Sequence, residues 1–230
     1  MRCAEFMRKK FDPQLIPAFP DLSIEQEIRS GVVHYIAGID EVGRGPLAGP
    51  VFAAAVILPP DPLACTPLLG LRDSKQLSPA SREHWATKIK EIALSWGIGS
   101  ASAAEIDTIG IVPATQLAAR RALESLLIDP EQLILDYMRI PGLEIPQISL
   151  VKGDQRSLTI AASSILAKTA RDAECFELDQ TYPGYGFAHN KGYGTPGHLA
   201  ALIRLGPCPI HRYTFKPISQ LIRQDKQLLM

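Results

Sequence analysis

Apolar residues fall along this chain in two rhythms, short unbroken β-like runs and helical spacings, and the alternation between them lays out its elements. Val32, Val33, Tyr35 and Ile36 begin one run, and Val51 to Leu58 forms another. Between them stand Gly43, Gly45, Pro46 and Pro50. A strand from His34 to Asp40, a tight turn and a strand to Leu58 therefore predict an antiparallel pair. Pro59, Pro60 and Pro62 open a loop that reaches Asp73-Ser74-Lys75. Ser78, Pro79 and Glu83 mark a helix start, with the helix expected to run to about Ser95, and Trp96 to Ala103 reads as a third strand. Helical spacing returns over Val112 to Leu127, where Ala119, Leu123, Leu126 and Leu127 share a face. Gln132 to Asp136 and Ile145 to Val151 are further strands. Ser157 to Leu178 is a long helix whose small face (Ala161, Ala162, Ser164, Ala167) permits close packing. Five glycines make 182–197 a loop, and short helices around Pro196 to Leu205 and Ile218 to Leu229 close the chain. Residues 1–33, with one helical candidate from Ser23 to Arg29, read as an extension lying loosely on a 34–217 body, and 218–230 as a tail. The fold class is α/β: a mixed sheet flanked by helices, with a helical C-terminal region.

Length and composition narrow this only moderately. At 230 residues and 46% hydrophobic, one domain with a sizeable core is expected. The four cysteines, Cys3, Cys65, Cys175 and Cys208, form no CxxC, which argues against zinc and a disulfide framework and leaves oxygen ligands for any metal. No apolar stretch approaches the ~20 residues of a spanning helix, and the basic start lacks a secretory apolar segment. A soluble, cytoplasmic protein with no membrane partner is predicted. Net charge is zero, but six Lys/Arg and one acid lie from Gly186 onward. A basic tail on an acidic body fits a nucleic-acid partner; a solvated C-terminal helix would look the same.

The candidate chemistry is carboxylate chemistry. Asp40 and Glu41 are adjacent at the end of the first strand, beside Gly43-Arg44-Gly45. Neighbours in a regular strand point to opposite faces, so both serve one site only if the strand ends or twists there, which Gly43 makes plausible. Asp136 ends the apolar strand Leu133-Ile134-Leu135, and Asp154 follows in the glycine turn Lys152-Gly153-Asp154. Four acids at strand ends make an oxygen-rich pocket suited to Mg²⁺ or Mn²⁺; singly, each is an ordinary turn residue or helix cap. Gly43-x-Gly45-x-x-Ala48 formally fits a dinucleotide fingerprint, but it leads into a strand rather than a helix, and two carboxylates before a pyrophosphate would repel it. A non-catalytic nucleic-acid binder is the remaining alternative, and it leaves the acids unexplained. Lys75, Lys168 and Tyr193 could contact a nucleic acid, or be solvated lysines and a lid residue. The five histidines show no ligand spacing.

Several ordered motifs are similar to those of the ribonuclease HII family, over roughly 34–217. They are Gly38-Ile-Asp-Glu-Val-Gly-Arg-Gly-Pro-Leu-Ala-Gly-Pro, Asp73-Ser-Lys-Gln-Leu-Ser, Lys152-Gly-Asp, Ile160-Ala-Ala-Ser-Ser-Ile-Leu-Ala-Lys, Thr169-Ala-Arg-Asp, Asn190-Lys-Gly-Tyr-Gly-Thr and His211-Arg-Tyr-Thr-Phe. The resemblance implies a ribonuclease H-like fold and two divalent ions, Mn²⁺ or Mg²⁺, held by Asp40, Glu41, Asp136 and Asp154. It implies cleavage of the RNA strand of RNA–DNA hybrids and incision at single ribonucleotides in duplex DNA, leaving 5′-phosphate and 3′-hydroxyl ends. Gly43, Arg44 and Gly45 would meet the ribonucleotide, Tyr193 would sense it, and Arg44 and Lys75 would grip phosphates. A monomer is expected. One departure stands out: the family's glycine after the strand acid is Tyr137 here.

Overall fold

The computed structural model describes residues 11–29, 32–72, 74 and 77–221. Five strands, β1 (Ile36–Val42), β2 (Val51–Ile57), β3 (Ser95–Ala101), β4 (Gln132–Asp136) and β5 (Gln147–Leu150), form one mixed sheet in the order β3-β2-β1-β4-β5. β2 pairs antiparallel with both β1 and β3, whereas β4 pairs parallel with β1 and β5. The register matters most at the centre. Ile39 aligns with Leu135, so the next residues, Asp40 within β1 and Asp136 at the end of β4, stand side by side on neighbouring strands.

Helices accompanying the sheet among the described residues include α1 (Ser23–Arg29), α2 (Pro79–Ile92), α3 (Ala103–Ile109), α4 (Ile111–Glu124), α5 (Leu158–Thr181), α6 (Phe187–Asn190) and α7 (Pro196–Leu205). Ala54, Val56 and Leu58 pack with Leu158, Ala161, Ala162 and Ile165 of α5. Ala53, Ala55 and Ile57 pack on the opposite face with Ala114, Ala118, Ala119 and Ala122 of α4. Burial on both faces is why β2 reads as an unbroken apolar run rather than an alternating one. Small residues let α5 lie very close. A Cβ on Gly38 would sit 2.6 Å from the backbone carbon of Thr159, so only glycine admits the helix here.

Several boundaries differ from expectation. The Ser78 cap forms, its side chain accepting from the Ser81 amide, but α2 ends at Ile92. β3 gives way at Ser102 to α3, which the apolar pattern hid; a capping box between Ser102 and Glu105 was the available signal. The 182–197 loop contains α6. Of the expected C-terminal helix, 218–221 are helical and the remainder lies outside the described residues.

The extension is not loose where it is described. Asp21 bridges to Ser157, and Leu22 joins the α5 core. Glu25 is fully buried and accepts from the Ser157 hydroxyl (2.6 Å) and the Thr159 amide (3.1 Å), capping the start of α5 from a distant part of the chain. Replacing it strands buried donors. Glu25→Ala is therefore expected to cost about 2 kcal/mol, a fall of roughly 4–8 °C in melting temperature for a domain of this size. Calorimetry giving an unchanged Tm would remove α1 from the stability of α5.

Candidate active site

Asp40, from the middle strand, is 5% exposed and faces α5. Asp136 ends β4, and Asp154 sits buried in a 3-10 turn, Gly153–Gln155, after β5. One oxygen from each of these three carboxyl groups lies within 4.8 Å of the others. Burial first, then the charges of Glu41, Asp136 and Asp154, push the Asp40 carboxyl well above its usual range, against a lowering hydrogen bond with Ser164. Ser164 in turn lies 3.1 Å from Ser74, so Ser74 reaches the acids through a pair of hydroxyls. Gly153 donates its amide to Asp136 at 2.7 Å, tying the second acid to the turn that carries the third. Glu41 is not among the three, because β1 runs on to Val42 and the strand end expected at Asp40 is not there. One of its oxygens meets Arg44 at 3.3 Å, and the other is buried with no hydrogen-bond partner.

These residues suit hard divalent cations. Three close carboxyl groups, all oxygen donors, are mutually repulsive until positive charge is added. The orphaned buried oxygen of Glu41, next along the chain from Asp40, is a further donor without a protein partner.

Two fully buried arginines that the sequence did not single out build the adjacent turn. Arg212 donates to the carbonyls of Gly43 (2.6 Å), Arg44 (2.9 Å) and Gly49 (3.0 Å). Desolvation, then the charge of Arg171, lowers its pKa to about 9. Arg171 donates to the carbonyls of Pro50 and Lys191, and its side chain occupies the space where a Gly43 Cβ would be. Gly43, at φ +92°, is doubly required to be glycine. The turn also touches Tyr193: the ring lies 3.6 Å from where a Gly45 Cβ would stand, and the Arg171 guanidinium is 5.9 Å from its centre. Lys75 lies outside the described residues. Lys168 is held by Asp172 at 2.5 Å.

The Tyr193 loop is fixed by a chain of imidazoles. His198 Nδ1 lies 2.9 Å from the Tyr193 carbonyl, which can only accept, so that nitrogen carries the proton. His198 Nε2 is then bare and accepts from His211 Nε2 at 3.0 Å. His211 Nδ1 is left to accept from the Cys208 amide at 2.9 Å. Both rings are neutral in this arrangement and fully buried. Burial pulls the His211 pKa down to about 4 from 6.5, and lowers that of His198. Between those values the unfolded chain binds more protons, so stability is complete above about pH 6.5 and lost as pH falls towards 4. Chemical denaturation is expected to show the wild type losing roughly 2–3 kcal/mol more than His211→Asn across that interval. Parallel losses in the two proteins would rule out the imidazole chain as the cause.

Residues 37–218 match the model of the family described as Ribonuclease HII. A ribonuclease HII of Moorella thermoacetica is 54% identical over 188 residues, 82% of this chain and 89% of that protein. Among solved structures, the ribonuclease H2 from Pyrococcus horikoshii OT3 superposes with a TM-score of 0.70 at 26% identity, over 84% of this chain and 99% of the other. Bst-RNase HIII in complex with Mn²⁺ shares the fold, with a TM-score of 0.61 at 18% identity over 85% of this chain and 71% of that one. Matched along nearly the whole described body and more than half identical to such a relative, the chain belongs to the ribonuclease HII family and is a metal-dependent ribonuclease.

Proposed function

We propose that the chain is an endonuclease that cleaves the RNA strand of RNA–DNA hybrids and incises duplex DNA at single ribonucleotides, leaving 5′-phosphate and 3′-hydroxyl ends. The observation that carries this is the convergence of Asp40, Asp136 and Asp154 beside the Gly43-Arg44-Gly45 turn. These acids, joined by Glu41, are the ligands for two divalent ions, Mn²⁺ or Mg²⁺. Bound there, such ions supply charge neutralisation at the phosphodiester and a water of lowered pKa as nucleophile. The protein's own part is to hold and exclude. Arg212 and Arg171 fix the turn so that its backbone groups meet the 2′-hydroxyl, the group that separates RNA from DNA at a site. Arg44, with its half-exposed side chain, and Lys75 grip phosphates, and Tyr193 stacks near the cut. Action as a monomer goes with this reading. Among the described residues no helix is long and apolar enough to cross a membrane, and a cytoplasmic location goes with this reading. A plain nucleic-acid binder would gain nothing from crowded acids facing a polyanion.

Asp40→Asn is expected to lower turnover on a singly ribonucleotide-substituted duplex by more than about 10³-fold, while duplex binding persists and melting temperature in chelator rises as repulsion is relieved. Normal nicking by this variant would refute the ligand assignment. Affinity for the duplex should also fall steeply with salt, as counterion release requires. A flat log–log plot of binding against salt would speak against phosphate contacts.

A further inference from the structure

Three non-glycine residues among those described adopt a left-handed backbone: Tyr137 (φ +45°), Lys152 (φ +54°) and Lys191 (φ +53°). Each lies within two positions of a residue of the candidate site, namely Asp136, Asp154 and Tyr193. For a bulky side chain this conformation is costly, and such cost gathers where function repays it. Tyr137 is the least explained by packing, because it is 73% exposed. Its amide holds the Leu150 carbonyl at 2.8 Å, which any residue would do, glycine more comfortably. Tyr137 lines a cleft of about 140 Å³ with Arg44, Val112, Gln116, Met138 and Arg139, and no acidic residue is among those that border it. Gln116 donates to the Arg139 carbonyl at 3.0 Å, fixing that rim to α4.

Resting on the nuclease reading above, we propose that this cleft is a nucleotide subsite of the cleaved strand, on the Asp136 side of the scissile phosphate. The base or sugar of the flanking nucleotide stacks on Tyr137, and its phosphate lies between the guanidiniums of Arg44 and Arg139. The chemistry is that of a nucleotide rather than a peptide or a metal: one exposed aromatic residue, two fork-shaped cationic donors and the side-chain amide of Gln116, next along the chain from an acid of the site. The Gly43–Gly45 turn separates this subsite from Tyr193. Gly45 meets Tyr193, while the Arg44 side chain lines the cleft. The two tyrosines thus bracket the strand.

The test compares wild type, Tyr137→Gly, Tyr137→Phe and Arg139→Gln on a duplex containing one ribonucleotide. Affinity is read by fluorescence anisotropy in EDTA, and kcat/KM by nicking with Mg²⁺. Melting temperature reports folding; Tyr137→Gly, which relieves the backbone, should melt no lower than wild type. Expected are an affinity and a kcat/KM that both fall about tenfold for Tyr137→Gly, near-wild-type values for Tyr137→Phe, and a salt slope reduced by about one for Arg139→Gln. Tyr137→Gly binding and cleaving like wild type would overturn the subsite, as would Tyr137→Phe losing as much as Tyr137→Gly. Failure of the wild type itself to nick would instead sink the nuclease reading, with the anisotropy comparison still deciding whether the cleft binds a nucleic acid.

Discussion

The structure is organised around a repulsion. Three carboxyl groups from three separate stretches of chain are brought within 4.8 Å, two of them, Asp40 and Asp154, almost wholly removed from water. In the absence of compensation each would prefer solvent. The fold holds them by neighbours that cannot retreat: a parallel β1–β4 register that sets Asp40 beside Asp136, an amide from Gly153, and a hydroxyl on a helix pressed against the bare backbone of Gly38. Asp154 lies three residues ahead of the Ser157 cap, where the dipole of a 24-residue helix favours negative charge. Stability is thereby given up locally for a cluster of oxygen donors whose repulsion divalent cations would relieve.

The second principle is the use of buried arginine as a backbone clamp. Arg171 and Arg212 form none of the ion pairs found among the described residues; their donors go to carbonyls of the Gly43 turn, of Gly49 and Pro50, and of the Tyr193 loop. A guanidinium offers five donors in a fixed fork, so one side chain can set the spacing of several peptide groups at once. Lysine, a single flexible point charge, could not.

Much of this was legible beforehand. The mixed sheet, the antiparallel first pair and the strand limits of Gln132–Asp136 follow from apolar runs broken by glycine and proline. The sequence led to an expectation that Asp40 and Glu41 share one site through a strand end or twist; β1 instead runs on to Val42, and Glu41 is not among the three grouped carboxyls. The convergence of Asp136 and Asp154 on Asp40 depends on register and crossovers, which local pattern does not encode. Arg171 and Arg212 look like solvated charges in one dimension, because burial of a cation is decided by distant carbonyls. The demand for glycine after Asp136 has a visible cause in the left-handed backbone at Tyr137. α3 was missed although Ser102 and Glu105 carried its capping signature, since a seven-residue helix shows barely two turns of periodicity.

The contact between Glu25 and Ser157 spans 132 residues. During synthesis α1 leaves the ribosome first, yet its seat does not exist until α5 has emerged, a wait of roughly 10 s at ordinary elongation rates. The segment carrying Leu22 and Glu25 therefore passes that interval without its partner, and its cap on α5 is a contact that forms only after a separation of 132 residues has been closed.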